Sequence, residues 1–146
     1  MNNIVKKKIW EEILKLTVYY YMKLLIISPH KRIKNAEDLI DKLNKHRIIL
    51  KDAYSPILGT NIVDTNLKIF DNLVSFLRVD CSLIPKCIIP LRQYCGNVFN
   101  LEIVGKLLAF RVDLNRDQLE ETINACKEIL ENYGKQKDNN GKNERS

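Results

Sequence analysis

Glycine and proline are scarce in this chain, with only 5 and 4 among its 146 residues. An all-β sandwich needs a turn about every 8–12 residues, and turns depend heavily on these two residue types. The scarcity therefore argues against a β-sandwich. The 45% hydrophobic and 29% charged residues are close to the globular average, so the sequence predicts one folded domain with its own core.

Long uncharged runs are also missing near the start of the chain. Three lysines, Lys6 to Lys8, precede an apolar stretch, which is the order of a secretory signal. However, charged residues interrupt that stretch, and its longest uncharged run, Leu16 to Met22, is far below the roughly 20 residues of a membrane span. We therefore expect no signal peptide, no transmembrane segment and an intracellular location, cytoplasmic or nuclear, where cysteines stay reduced.

The residues needed for metal binding or catalysis are sparse. Cys81, Cys87, Cys95 and Cys126 lie 6, 8 and 31 residues apart, whereas zinc sites usually contain pairs separated by two to four residues. Only two histidines are available as a catalytic base, and both lie among lysines and arginines, where a solvated histidine is an equally good reading. No glycine-rich phosphate loop or nucleophile elbow occurs. We expect no enzymatic activity, no cofactor and no metal.

Helical periodicity dominates what is present. Apolar residues recur every three to four positions from Ile4 to Ile27, and Ser28-Pro29 predicts the end of that helix. Asn35 is a predicted N-cap of a second helix that ends near Lys51. The pattern further predicts a third helix from about residue 61 to 79, one kinked or two short helices over 80–94 that close at Gly96, and a fifth helix over 100–111.

The last helix has the clearest start signal in the chain. Asn115 and Gln118 form a capping-box pair, with Leu114 placed to contact Leu119. Apolar residues at 119, 123, 126 and 130 then follow as a stripe that we expect to be buried, and Gly134 predicts the end of the helix. The fold class predicted is all-α: a single-domain bundle of five or six antiparallel helices over residues 1–133, with a disordered tail over 134–146.

Charge is unevenly distributed along the chain. Through Lys51 there are 12 basic and 5 acidic residues, whereas 52–133 holds 8 basic and 11 acidic ones. A basic third predicts an acidic partner, although a solvated helix face explains it as well. Tyr19 to Tyr21 could add stacking surface, but core and rim positions explain them better. The predicted basic patch consists of Lys31, Arg32, Lys34, Lys42, Lys45 and Arg47.

Residues 113–119, Asp-Leu-Asn-Arg-Asp-Gln-Leu, resemble the helix–loop–helix signature of the MOZART family, small helical adaptors of γ-tubulin ring complexes. The family loop typically reads Gly-Val-Asn-Pro-Glu-Ala-Leu. Leu114, Asn115, Asp117 and Leu119 fit it in kind, whereas Asp113, Arg116 and Gln118 depart from it. The resemblance covers about residues 94–133 and implies an adaptor related to microtubule nucleation. Any capped helical hairpin would share much of this pattern.

Two functional hypotheses follow. The first is a non-enzymatic protein-interaction module, an adaptor or assembly subunit, with Phe110, Val112 and Ile129 as a partner-binding edge. These three residues could instead cover a neighbouring helix of the same bundle. The alternative is a basic helical module that binds nucleic acid. A large exposed apolar patch in the structure favours the first hypothesis, and a continuous basic face without such a patch favours the second.

Overall fold

A computed structural model describes residues 3–28 and 32–144, with side chains through residue 136. The fold is all-α, as predicted, and no strand occurs in the described ranges. The described ranges contain seven α-helices rather than five or six: α1 Asn3–Ile27, α2 Ala36–Leu58, α3 Thr60–Asn66, α4 Lys68–Arg78, α5 Ile88–Cys95, α6 Leu101–Leu108 and α7 Arg116–Glu144. Two short 3₁₀ helices, Cys81–Cys87 and Gly96–Val98, flank α5.

One hydrophobic core joins these helices. Its largest side chains are Phe70, Phe76 and Phe99, all fully buried, and the rings of Phe76 and Phe99 meet edge to face at 6.3 Å. Helix α1 packs against α2, α3, α5 and α6, while α7 packs against α5, α6 and the 3₁₀ helix Cys81–Cys87. Burial of these apolar side chains is the main stabilising contribution, since most of the stability of a helix in a protein comes from the packing of its apolar face.

The predicted helix starts are confirmed. The side chain of Asn35 accepts a hydrogen bond from the backbone N–H of Asp38, and that of Asn100 accepts one from Ile103. In the capping box, the N–H of Gln118 donates to Asn115 at 2.8 Å and the N–H of Asn115 donates to Gln118 at 3.0 Å. These contacts satisfy N–H groups that have no partner within the helix.

Helix α6 ends at Leu108, earlier than the predicted end near Arg111, and the end of the second helix differs more. Helix α2 does not end near Lys51 but continues through Pro56 to Leu58, and Gly59, at φ 86°, caps it. Burial of Leu58 and partial burial of Tyr54 and Ile57 offset the backbone bond that Pro56 cannot donate.

The predicted third helix is two helices. The helix is interrupted at Leu67, which is fully buried and separates α3 from α4. The segment with two prolines forms two short helices as expected, and Gly96, at φ 66°, closes the second one.

The predicted end of the last helix at Gly134 is wrong. Gly134 does not adopt a positive φ, which is the conformation through which glycine usually ends helices, and α7 continues to Glu144. In the predicted tail, the structure describes side chains only through residue 136 and the backbone only through residue 144. Of the predicted stripe on α7, Cys126 is fully buried, whereas Leu119, Ile123 and Leu130 are half-buried against the core.

The loop between α6 and α7 contains a buried cation. Arg111 is 3% exposed, and its guanidinium donates two hydrogen bonds to Asp113, at 2.8 and 3.0 Å, and one to the carbonyl oxygen of Phe76. The carbonyl oxygen of the preceding residue, Phe110, accepts a bond from the N–H of Ala36 at the start of α2. The hydrogen-bonded Arg111 holds the pKa of the Asp113 carboxyl below its usual value.

Replacing Asp113 with Ala is expected to destabilise the fold by about 2 kcal/mol, although Asp113 itself is exposed, because the buried guanidinium then loses its counter-charge. The double variant Arg111→Met/Asp113→Ala is expected to recover part of that loss. Urea unfolding of both variants measures the difference. A cost below about 0.5 kcal/mol for Asp113→Ala, which is the usual range for surface changes, contradicts this account.

Candidate interaction surface

Helix α1 carries apolar side chains on its solvent side. They form one row, which we call the α1 stripe: Val5, Ile9, Ile13, Leu16, Tyr20, Leu24 and Ile27. Each is between 38% and 69% exposed. The spacing of four, four, three, four, four and three residues keeps them on one face of the helix over roughly 33 Å. The sequence predicted Ile9, Ile13, Tyr20 and Leu24 on the packed face, but the structure turns them outward.

The packed face of α1 lies on the opposite side of the helix. It consists of Leu14, Val18, Met22, Leu25 and Ile26, all of which are buried. Helix α1 is therefore apolar on two faces, and the fold covers only one of them. The signal was available in the sequence, because α1 has more large apolar residues than one helix face can hold.

The α1 stripe is large for a monomeric surface. If each large side chain has roughly 200 Å² of accessible area, the exposed fractions correspond to roughly 700 Å² in total. The largest apolar patch on a typical monomer is about 300–600 Å², and patches above that range usually mark interaction sites. The stripe is thus the apolar patch that favours the protein-interaction hypothesis.

Three charged side chains border the stripe. Glu12 and Lys23 lie along one edge of it, and Lys6 lies on the other edge, near its start. The ammonium group of Lys23 lies 5.1 Å above the ring centre of Tyr19, and Glu12 pairs with Lys15 at 3.5 Å. The first turn of α1 contains no acidic residue and its last turn no basic one, so its charges do not complement its own helix dipole.

A groove of about 850 Å³ adjoins the stripe at Leu16. Helix α1 forms one wall through Leu16 and Tyr19, and α4 and α5 contribute Ile69 and Tyr94. The rings of Tyr19 and Tyr94 lie 6.0 Å apart, and burial raises the pKa of Tyr94 to about 12. The phenol therefore stays neutral, and the groove extends the apolar surface towards the body of the protein.

The predicted partner-binding edge is not one exposed surface. Phe110 and Ile129 are half-buried and pack against the core, whereas Val112 is 78% exposed. The backbone of Phe110 also belongs to the junction around Arg111. Two of the three residues thus pack against neighbouring parts of the bundle, which is the alternative that the sequence left open for them.

The predicted basic patch is brought together only in part. Arg32, Lys42 and Lys45 line one shallow cavity, but Asp38 and Asp41 line it as well. Lys34 is exposed, and Lys31 lies outside the described residues. The surface is therefore of mixed charge rather than continuously basic, at least where the structure describes it.

Arg47 is engaged within the fold. Its guanidinium donates to both carboxylate oxygens of Asp71, at 3.0 and 3.3 Å, and lies 3.5 Å from Asp64. Lys51 pairs with Asp64 at 3.2 Å. These contacts connect α2 to α3 and α4, so Arg47 is a structural cation and is not available to bind phosphate.

His46 makes a short hydrogen bond with Tyr21, at 2.6 Å between the phenol oxygen and Nδ1. Burial raises the pKa of Tyr21 to about 12, so the phenol keeps its proton, and the imidazole tautomer sets which of the two groups donates. Desolvation, followed by the nearby cations Lys42 and Lys45, lowers the pKa of His46. His46 is thus a packed helix-to-helix contact, and the other histidine, His30, lies outside the described residues.

Three of the four cysteine thiols are made less reactive by burial. Burial raises the pKa of Cys95 and of Cys126 to about 11 and that of Cys87 above its ordinary value, so the reactive thiolate is scarce at neutral pH. Within the described part of the chain, no three His, Cys, Asp or Glu side chains are grouped so that they could hold a metal ion. In the same residues, every helix is too short or too polar to cross a membrane.

Comparison with protein-family models, with curated proteins and with solved structures finds no significant match to this chain. Function is therefore argued from the surface itself.

Acid should destabilise the fold through His46. Its pKa is lower in the folded state than the ordinary 6.5, so the unfolded chain takes up this proton first. The free energy of unfolding is then expected to fall as the pH drops below 6.5 and to level off below the folded pKa. Urea unfolding at about pH 7.5 and about pH 5.5 measures this decline, and His46→Gln should reduce it. An equal decline in the wild type and His46→Gln contradicts the assignment, and His30→Gln is the control.

Proposed function

We propose that this protein is a non-enzymatic helical interaction module, an adaptor or assembly subunit, that binds another protein chain through the α1 stripe. The observation that carries the proposal is the second apolar face of α1, which the fold leaves open along the whole helix. Recognition between two apolar helix faces needs anchors three and four residues apart, and the stripe has that spacing. The raised pKa values of the buried thiols favour a binding role over nucleophilic catalysis.

The resemblance of residues 94–133 to the MOZART family stays a prediction. It agrees with an adaptor role and adds a specific one, in the assembly of microtubule-nucleating complexes. Helices α6 and α7, joined by a short loop with a capping box, form the hairpin on which that resemblance depends. The α1 stripe lies outside the resembling segment, so the proposed binding surface does not depend on the family.

Nucleic-acid binding is the weaker candidate, because Asp38 and Asp41 interrupt the basic surface and Arg47 is paired. Lys42→Gln/Lys45→Gln should therefore leave any affinity for a short single-stranded RNA or a DNA duplex nearly unchanged. Fluorescence anisotropy over a range of salt concentrations measures this. Tight binding whose log–log salt slope shrinks by about one per lysine removed would support phosphate contacts and contradict our ranking.

The interaction proposal predicts that Leu16→Glu/Leu24→Glu abolishes partner capture and leaves the fold intact, because both side chains are exposed and such changes usually cost little stability. The tagged full-length chain is used for affinity capture from its own cells, with quantitative mass spectrometry and nuclease treatment. The matched control is Ile48→Glu/Ile49→Glu, which charges two similarly exposed apolar residues on α2. Identical captured proteins for wild type, stripe variant and control would show that the stripe is not the binding surface.

A further inference from the structure

We infer that the occupant of the α1 stripe is a second copy of this chain, so that two α1 helices pack antiparallel about a two-fold axis near residue 18. This inference rests on the proposed function and names the partner of the same surface. The arguments are the area of the stripe, the register of its residues and the placement of the charges at its edges.

The area of the stripe suits a symmetric dimer. Roughly 700 Å² of apolar surface per copy, with the bordering polar groups added, is close to the approximately 800 Å² that each partner contributes to a standard interface. A two-fold axis places the same patch on both copies, so one such surface is sufficient to close the assembly.

The register of the stripe also fits a second copy of itself. The stripe repeats a spacing of four, four and three residues twice, a period of 11 residues that stays aligned along a nearly straight helix. With the axis near residue 18, Leu16 of one copy faces Tyr20 of the other twice, and Ile9 faces Ile27. The layers therefore match along the helix, with the Leu16 and Tyr20 pairs at the centre.

The charged residues at the edges of the α1 stripe favour an antiparallel over a parallel arrangement of the two helices. In a parallel two-fold pair, the edge that carries Glu12 and Lys23 lies across the interface from the same edge of the other copy, so these two side chains form no pair between copies. In the antiparallel pair, Glu12 of one copy and Lys23 of the other lie on the same side of the interface. When the axis is near residue 18, they also lie at the same height along the helices. Each copy then offers a carboxylate to the other copy's ammonium group, which forms two equivalent pairs.

The ends of the helices are complementary in the same arrangement. Lys6, Lys7 and Lys8 lie at the positive end of the α1 dipole, where they are unfavourable, and the negative end has no basic residue in its last turn. An antiparallel partner brings Lys6, which lies at the edge of the stripe, towards the carbonyl groups that end the other α1. The dimer thereby corrects a charge arrangement that the monomer leaves unfavourable.

The test is the mass of the full chain in solution, by sedimentation velocity from low micromolar concentrations upwards. The expected species has twice the 17.1 kDa of one chain. Leu16→Glu, at the centre of the interface, should weaken dimerisation at least 100-fold, because it places two carboxylates close together in the apolar seam. Ile48→Glu, on an exposed apolar residue of α2, is the matched control and should dimerise as the wild type does.

Charge reversal tests the direction of the helices. Glu12→Lys and Lys23→Glu should each weaken the dimer by roughly threefold to tenfold, and the double variant should regain most of the wild-type affinity. Residues 12 and 23 lie roughly 16 Å apart within one α1, so the regain cannot come from a pair inside one copy. The contacts of Glu12 with Lys15 and of Lys23 with Tyr19 are lost in the double variant too and do not explain a regain.

Several results overturn the inference. A monomer at about 100 μM, or a dimer indifferent to Leu16→Glu, shows that the stripe does not pair with itself. A monomer that binds anionic phospholipid vesicles through Leu16 identifies a membrane surface as the occupant instead. If the chain is monomeric but captures a different protein in a stripe-dependent way, this inference fails and the proposed function stands. If capture also ignores the stripe, both fail.

Discussion

The buried guanidinium of Arg111 is the contact on which the arrangement of the helix ends depends. It donates a hydrogen bond from the loop after α6 to the carbonyl oxygen of Phe76, near the end of α4. One residue earlier, the carbonyl oxygen of Phe110 accepts a hydrogen bond from the N–H of Ala36, the first residue of α2. A polar contact in a low-dielectric interior is strong only in its correct geometry, so it fixes positions as well as adding stability. This loop therefore serves the interior, although its exposed Val112 and half-buried Phe110 resemble a binding edge in the sequence.

With those ends fixed, the surface that remains for a partner is the outer side of α1. The other helices pack against Leu14, Val18 and Met22, and the opposite side stays open. Arg47 and Lys51 reinforce the far side of α2 through Asp64 and Asp71, so cations that could have bound an external anion hold the bundle together. The surface therefore has two kinds of region: one in which the charged side chains are paired with each other, and the α1 stripe, whose apolar side chains are left exposed.

Local signals in the sequence were sufficient for the helix starts, because a cap such as Asn115 with Gln118 involves residues three positions apart. Local signals were insufficient where residues distant in the sequence determine which side chains are buried or paired. Ile13 and Leu14 are equally apolar, and only the placement of α2 and α5 determines that Leu14 is buried and Ile13 exposed. Nothing near Arg47 in the sequence indicates Asp71, which is 24 residues away, and nothing near Arg111 indicates the carbonyl of Phe76, which is 35 residues away.

The two apolar faces of α1 also limit how its sequence can change over evolution. Substitutions on the packed face are constrained by the core. With the proposed partner, substitutions on the stripe are constrained as well, and only narrow polar edges at positions such as Lys7, Lys8 and Lys15 can vary freely. An ordinary surface helix has a whole face open to change. The sequence of α1 should therefore change more slowly during evolution than that of the outer face of α7. A slowly changing first helix with little exposed polar surface would then be a feature by which proteins related to this one can be recognised.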